Sequence, residues 1–287
     1  MRREKASAEN IAANDKNNVK LRVNNEICLL FLILFLFYGS FSLFALDRYV
    51  VPGGAGSKNG IDWDNAYSNI QDAVTDCSGV GDRIFLKVGT YIISSQITIV
   101  NRPGLLIRGG MAGNTPLPGD SDVNPSILSR NTAVSTRIFY ITKSTVTVER
   151  VKVYNGYLGG SGNDGGGIYA ESNSYLTVTN CVFDNNRLHS QWGQEGGGIY
   201  IRGGRLRIND SFFLTNILTK IDWTVSSHGG AVAVINSDYE IRGTVFRGNY
   251  VWARHYDIWS GPVLADRYSE LNCYNYLLAY LFLKVNW

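Results

Sequence analysis

Proline, cysteine and histidine are scarce in this chain of 287 residues, and neither sign of charge dominates. There are 6 Pro, 4 Cys and 3 His, and the formal net charge is +3. So few cysteines exclude a disulfide scaffold, and the balanced charge argues against a nucleic-acid binder, which usually carries a basic stripe. With 45% hydrophobic and 18% charged residues, the chain is not disordered, and it is long enough to bury a large core.

The absence of proline is concentrated in one region. No Pro occurs between Ser126 and Gly261, whereas fourteen of the 31 Gly lie between Gly159 and Gly230. Because Pro removes a backbone donor from a β-ladder, this distribution predicts a body rich in hydrogen-bonded strands, with glycine at the turns.

The N-terminal part carries a long uncharged run, from Ile27 to Ala45, behind a polar stretch with six Lys or Arg. A basic segment, an apolar core and small residues before a polar start are typical of a secretory signal. Nineteen apolar residues are also just long enough for an uncleaved membrane anchor. Residues 1–45 are therefore a leader under either alternative, and both predict export, with this segment as the only contact with a membrane.

Cysteine spacing gives no sign of a metal site. Beyond the leader only Cys77, Cys181 and Cys273 remain, an odd and widely spaced set without metal-ligand intervals. Cys181 falls within a strand pattern, where a buried small hydrophobe is the default. We expect no metal and no cofactor.

Three blocks of sequence repeat, at starts 31 and 33 residues apart. Each opens with G-G-[GA]-[IV] and closes with F-x-x-N, and apolar residues alternate with polar ones between the two motifs, which indicates strands. The recurring residues are Gly165, Gly166, Phe183 and Asn186; Gly196, Gly197, Phe213 and Asn216; and Gly229, Gly230, Phe246 and Asn249.

Short strands that recur about every 30 residues predict an all-β fold, a parallel β-helix in which each repeat forms one coil. Equivalent residues then stack between coils, so that Ile168, Ile199 and Val232 form one internal column. The repeat phenylalanines form a second column. The repeat asparagines are expected to form a ladder of side-chain amides, and the glycines to supply the sharp turns between strands.

The paired motifs between residues 165 and 249 resemble the polymorphic outer-membrane protein repeat family, a group of bacterial surface proteins. Upstream, the segments YVVPGGAGSKNGIDWDNAYSNIQDAV, GDRIFLKVGTY and IRGGMAG are similar to exported bacterial β-helix proteins with a pectate-lyase-like fold. The resemblance implies a right-handed parallel β-helix that is secreted or located at the cell surface or outer membrane, with an adhesin-like function.

The two ends of the chain differ from the repeats. An amphipathic helix is predicted from Asn65 to Cys77, where it would cover the open first coil. We expect residues 46–100 to form an N-terminal cap with the first coils, and residues 101–250 to form the body. Residues 251–287 lack both motifs, and two interpretations stay open for them: a hydrophobic end cap or a truncated tail.

Two loops of variable length separate the blocks, RLHSQWGQE and ILTKIDWTVSSH, and each carries one Trp and one His. Aromatic and polar groups on adjacent loops of a rigid scaffold are typical of binding sites, although each Trp could instead cover the base of its own loop. Exposed arginines on neighbouring strands form a basic strip for an anionic glycan, unless they are ordinary solvated residues. The candidate binding residues are Trp192, His189, Trp223, His228, Arg202 and Arg205.

Aligned carboxylates, which catalysis on such a fold requires, are missing from the repeats. The residues Asp164, Asp184, Asp210 and Asp238 do not share an equivalent repeat position, so no catalytic residue is predicted. We therefore expect an exported, non-catalytic, monomeric protein that binds a glycan or a host or cell-surface partner and no nucleic acid. The alternative is a polysaccharide lyase or glycosidase acting on an acidic polysaccharide, because fold alone does not decide function.

Overall fold

The computed structural model of the protein describes residues 45–113, 124–160, 164–190, 195–220, 229–253, 264–267 and 271–273. Apart from Ala45, the apolar segment from Ile27 to Ala45 lies outside these residues. In the part of the chain that is described, no helix is long and apolar enough to cross a membrane.

One helix and many short strands make up this part of the chain. The elements are, in chain order, β1 (Asp47–Val50), α1 (Ile70–Asp76), β2 (Arg83–Lys87), β3 (Thr90–Ile93), β4 (Ile97–Val100), β5 (Pro103–Met111), β6 (Ser126–Arg130), β7 (Phe139–Thr142), β8 (Thr145–Glu149), β9 (Val151–Tyr154), β10 (Tyr157–Gly159), β11 (Ile168–Glu171), β12 (Tyr175–Thr179), β13 (Val182–Asp184), β14 (Arg187–Ser190), β15 (Ile199–Arg202), β16 (Arg205–Asn209), β17 (Phe212–Leu214), β18 (Ile217–Lys220), β19 (Val232–Ile235), β20 (Asp238–Arg242), β21 (Val245–Arg247), β22 (Tyr250–Ala253), β23 (Leu264–Arg267) and β24 (Leu271–Cys273).

The strands form four sheets in which every neighbour comes from the next coil. Sheet 1 has the order β1-β2-β5-β8-β12-β16-β20-β24, sheet 2 the order β3-β6-β9-β13-β17-β21, and sheet 3 the order β4-β7-β11-β15-β19-β23. Sheet 4, β10-β14-β18-β22, follows sheet 2 in each coil. The pairings of the repeat coils are parallel. The fold is thus a right-handed parallel β-helix, which confirms the fold class predicted from the repeats.

Strand register aligns the repeats residue by residue. Ile168 pairs with Ile199, and Ile199 with Val232; all three are fully buried. Phe183 pairs with Phe213, and Phe213 with Phe246. Their rings stack at centroid distances of 4.6 and 5.0 Å. Such columns bury an apolar face that no single coil could bury alone.

The repeat asparagines form a buried amide ladder. The side-chain Nδ2 of Asn186 donates to Oδ1 of Asn216 at 2.9 Å, and Nδ2 of Asn216 donates to Oδ1 of Asn249 at 2.8 Å. Positive φ falls instead on the residue before each of them, for example 57° at Asn185. One residue of the motif therefore makes the sharp turn of the backbone, and the next residue forms the hydrogen bonds of the ladder.

The two glycines of each repeat pair have different structural roles. Gly196 has a φ of 73°, a conformation that other residues adopt with difficulty. Gly197 is needed for close approach, because a Cβ there would lie 2.2 Å from the carbonyl oxygen of Gly230. The pair thus marks the point where each coil closes on the next.

The capping helix is shorter than the amphipathic pattern predicts, and its predicted start at Asn65 is wrong. It begins at Ile70 because Asn69 caps it, accepting a hydrogen bond from the backbone of Gln71 at 2.9 Å. Asp62 holds Asn65 in a separate turn by accepting from its backbone N–H at 2.7 Å.

Helix α1 supplies hydrogen-bond partners to the open edge strand of the solenoid, β4. The Gln71 amide exchanges two hydrogen bonds with the backbone of Thr98 in β4, at 2.7 and 3.2 Å. An exposed strand edge would otherwise recruit other strands. At the other end, β22, β23 and β24 pair in parallel with the preceding coil, so strand pairing continues past residue 250 although the motifs do not.

Candidate functional site

The outward side of sheet 3 carries a row of tyrosines, one per coil. Tyr140, Tyr169 and Tyr200 are aligned by register, and their rings stack at centroid distances of 5.5 and 5.1 Å. They lie on the side of the sheet opposite the internal core because they alternate with its residues, although Tyr200 itself is only 4% exposed and packs with Ala233 and Ile235. We call this surface the tyrosine face, defined by these three tyrosines together with Glu171 and Arg202.

Glu171 ties two of these tyrosines together. Its Oε1 accepts from the Tyr140 hydroxyl at 2.6 Å, and its Oε2 accepts from the Tyr169 hydroxyl at 3.0 Å. The hydrogen bond to the carboxylate raises the pKa of Tyr140, and burial raises the pKa of Tyr169. Both phenols therefore stay protonated at neutral pH, and the rings are held in a fixed arrangement.

Arg137, two residues before β7, is an almost fully buried arginine whose Nε donates no hydrogen bond to a described residue. The residue is 8% exposed, its Nε has no partner, and its Cζ lies 4.7 Å from the centroid of the Tyr169 ring. Burial lowers its pKa. Within the described residues this cation is stabilised by aromatic rings and surrounding carboxylates rather than by donated hydrogen bonds.

Two carboxylic acids occupy equivalent positions in adjacent coils, immediately before the repeat glycines. Asp164 accepts from the backbone N–H of Glu195 at 2.9 Å. Burial, with the like charge of Glu195 as a further cause, raises the pKa of Asp164 to about 6, while the charges of Arg137 and Arg202 oppose that rise.

The positions of the Asp residues alone do not reveal this pair, because its second member is a Glu. The signal that could have found it is the motif itself, since Asp164 precedes Gly165 as Glu195 precedes Gly196. Among the described residues there is no cluster of three or more potential metal ligands. The chemistry that these groups offer is hydrogen bonding by a guanidinium and two carboxyls, beside aromatic rings.

The predicted binding residues that are described lie on three different sheets. Arg202 is exposed on the tyrosine face, opposite Glu171 in register. Arg205 lies in sheet 1, where it forms an ion pair with Asp238 at 3.1 Å. His189 is exposed in β14 of sheet 4. The structure therefore does not bring these three residues together.

The basic strip of sheet 1 is compensated by acids of the next coil. Arg207 contacts Glu240 at 3.3 Å, and Arg242 also pairs with Glu240. Surface pairs of this kind contribute little stability, but they reduce the local positive charge. Trp192, Trp223 and His228 lie outside the described residues.

Comparisons with known proteins give one local sequence similarity and one distant structural similarity. No protein-family model matches the chain. It is 31% identical over 104 residues to the probable autotransporter YfaL of Escherichia coli (strain K12), a match that covers 34% of this chain and 8% of that protein. The chain thus spans less than a tenth of the length of this relative.

Among solved structures the chain matches a rhamnogalacturonan lyase, at 11% identity and a TM-score of 0.28. The match covers 79% of this chain and 66% of that chain. The fold of the present chain is established by its own parallel strand pairing.

Proposed function

We propose that this chain is an exported β-helix of a bacterial surface or secreted protein, which binds carbohydrate without altering it. Carbohydrate contacts the tyrosine face and the loops that precede sheet 3 in each coil. In this proposal the repeats belong to the polymorphic outer-membrane type that they resemble, and the function is adhesin-like.

Export is supported by two independent features. One is the uncharged run from Ile27 to Ala45, and the other is the local similarity to a probable autotransporter. A solenoid also suits an exported binding protein, because stacked coils present an extended rigid surface.

The observation that carries the binding proposal is the buried Nε of Arg137, which has no hydrogen-bond partner among the described residues. A buried donor without a partner is rare in native proteins, and here the guanidinium lies against the Tyr169 ring, while burial lowers its pKa and the charge of Asp164 acts in the opposite direction. Sugar hydroxyls both donate and accept hydrogen bonds, so one ligand can satisfy a guanidinium and a carboxylate together. Aromatic side chains contribute apolar contact area with a polar tip.

A second candidate function is favoured by the pair of acids. A carboxyl whose pKa is about 6 is suited to general acid catalysis near neutral pH, and Glu195 supplies a second carboxyl on the adjacent coil. In this alternative the chain is a glycosidase or lyase that acts on an acidic polysaccharide, and Asp164→Asn would abolish turnover while leaving binding intact.

Binding at the tyrosine face is tested with a charge-neutral double variant, Glu171→Gln with Arg202→Gln. The probes are the neutral polysaccharides dextran and galactan, measured by calorimetry and by retention on immobilised polysaccharide. Loss of charge-assisted hydrogen bonds predicts that the best-bound probe loses roughly tenfold or more in affinity. Unchanged affinity for every probe that binds, or no binding to any of them, would contradict the proposal.

The matched control makes the same two changes on another surface. Glu240→Gln with Arg207→Gln removes an exposed ion pair of sheet 1 and leaves the tyrosine face intact. We expect this control to keep its affinity within about twofold, since surface pairs rarely affect distant sites. Equal losses in both double variants would indicate a general effect on folding rather than a binding site.

A further inference from the structure

A second polar surface lies at the corner where sheet 2 continues into sheet 4. It is an open groove of about 510 Å³, lined by three segments within residues 130–135, 155–157 and 185–187 of consecutive coils. We call it the arginine groove, after Arg130 and Arg187. Its volume is within the range of small-ligand sites.

Charge distinguishes the arginine groove from the tyrosine face. Two of its lining residues are arginines, and none of the described residues that line it is Asp or Glu. The neighbouring Asp184 is already engaged, with Lys152 at 2.7 Å and with the hydroxyl of Thr215 at 3.0 Å. The groove therefore keeps an uncompensated positive charge.

One arginine is a fixed part of the groove wall. Arg130 donates to the backbone carbonyls of Asn155 at 2.7 Å, Asn131 at 3.0 Å and Val134 at 2.5 Å. Its Cζ also lies 5.3 Å from the centroid of the Tyr157 ring. Carbonyl oxygens do not neutralise a cation, so Arg130 contributes a rigidly placed positive charge.

The other arginine keeps donors free for a ligand. Arg187 is exposed, and within the described residues its side chain forms a hydrogen bond through Nε, with Oδ1 of Asn185 at 2.9 Å. The Asn185 amide in turn donates to Oδ1 of Asn155 at 3.3 Å. This chain of hydrogen bonds orients the guanidinium, while Nη1 and Nη2 form no hydrogen bond with a described residue. A guanidinium with two free nitrogens binds planar anions in a bidentate way.

We infer that the arginine groove binds the anionic group, carboxylate or sulfate, of an acidic oligosaccharide. Arg187 receives the anion through its two terminal nitrogens, and Arg130 adds the fixed positive charge. The amides of Asn155 and Asn185 have donor and acceptor capacity beyond their mutual hydrogen bond, and sugar hydroxyls use it. This site lies on a different surface from the tyrosine face and does not depend on it.

The experiment measures calorimetric affinity of the full chain for three probes. The first is an oligogalacturonate, the second is the same oligosaccharide with its carboxyl groups reduced to alcohols, and the third is a heparin-derived oligosaccharide. We expect the first or third probe to bind, with an affinity that falls as NaCl rises from about 50 mM to about 500 mM. The first and third probes separate a carboxylate from a sulfate as the recognised anion.

Arg187→Gln tests the site directly, because an exposed side chain can be replaced without loss of the core. We expect it to weaken binding of the acidic probe by roughly tenfold or more. Arg207→Gln, which removes the same charge from sheet 1, should change it less than about twofold. Equal binding of Arg187→Gln and the wild type, equal binding of the reduced probe, or no binding of either acidic probe would overturn the inference.

The same measurements separate this site from the tyrosine face. Glu171→Gln with Arg202→Gln should leave the affinity for the acidic probe within about twofold, since the altered residues belong to sheet 3. A parallel loss in that double variant and in Arg187→Gln would contradict two independent sites.

Discussion

Asn186 and Asn216 are joined by two hydrogen bonds across neighbouring coils. Oδ1 of Asn216 accepts from the backbone N–H of Asn186 at 3.1 Å and from its side-chain Nδ2 at 2.9 Å. Both residues are fully buried. Each ladder asparagine thus supplies hydrogen-bond partners to buried backbone and side-chain groups at the turn, which water does not reach.

Replacing the central member of this ladder should be strongly destabilising. Asn216→Ala removes the side-chain hydrogen bonds of Asn216 with Asn186, Asn249 and Phe183, so we expect the free energy of unfolding to fall by about 2–4 kcal/mol. Urea denaturation followed by circular dichroism measures this. In the control Asn209→Ala, a half-buried side chain without a described hydrogen bond is removed, and the loss should be below about 0.5 kcal/mol. Equal losses in the two variants would show that the ladder contributes nothing specific.

The phenylalanine column offers a comparison within two consecutive residues. Phe213 is fully buried between two stacked rings, whereas Phe212 is 46% exposed. Phe213→Ala should lower the free energy of unfolding by about 3–5 kcal/mol, and Phe212→Ala by less than about 1 kcal/mol. Denaturant midpoints of the two variants check this, and a reversed order would contradict the inward direction of the column.

The sequence predicts the columns better than it predicts the surfaces. Spacing within each repeat is constant, so the sequence alone aligns Phe183 with Phe213. The repeat spacing also places Arg205 opposite Asp238, but it does not predict their ion pair, because exposed side chains can adopt several rotamers.

The two candidate surfaces depend on contacts that the pattern does not encode. Arg137 and Tyr169 are 32 positions apart, and only coil closure places the guanidinium over the ring. Likewise, Arg130 and Arg187 line one groove because the corners of three consecutive coils stack on one another. The start of the helix was misplaced since amphipathicity extends further than the cap at Asn69 permits.

Asp164 should make stability depend on pH in a mildly acidic range. Its pKa is raised from 3.8 to about 6 in the folded protein. The folded state therefore binds more protons than the unfolded state between these values, and the free energy of unfolding falls as pH rises through this range. Asp164→Asn has no proton to lose and should show a smaller decrease between pH of about 4 and about 7.

Urea midpoints of Asp164→Asn and the wild type across this range measure the difference. The other titrating groups are the same in both proteins, so the comparison isolates Asp164. Parallel curves for the two proteins would contradict a raised pKa at this site.

The central claim, that this β-helix binds carbohydrate without altering it, is tested most directly by incubating the full chain with acidic and neutral polysaccharides. Bound polysaccharide and newly formed reducing or unsaturated ends are measured in the same samples. Our account predicts retention of at least one polysaccharide with no new ends above the protein-free control. Release of new ends that disappears in Asp164→Asn would contradict it and establish the enzyme instead.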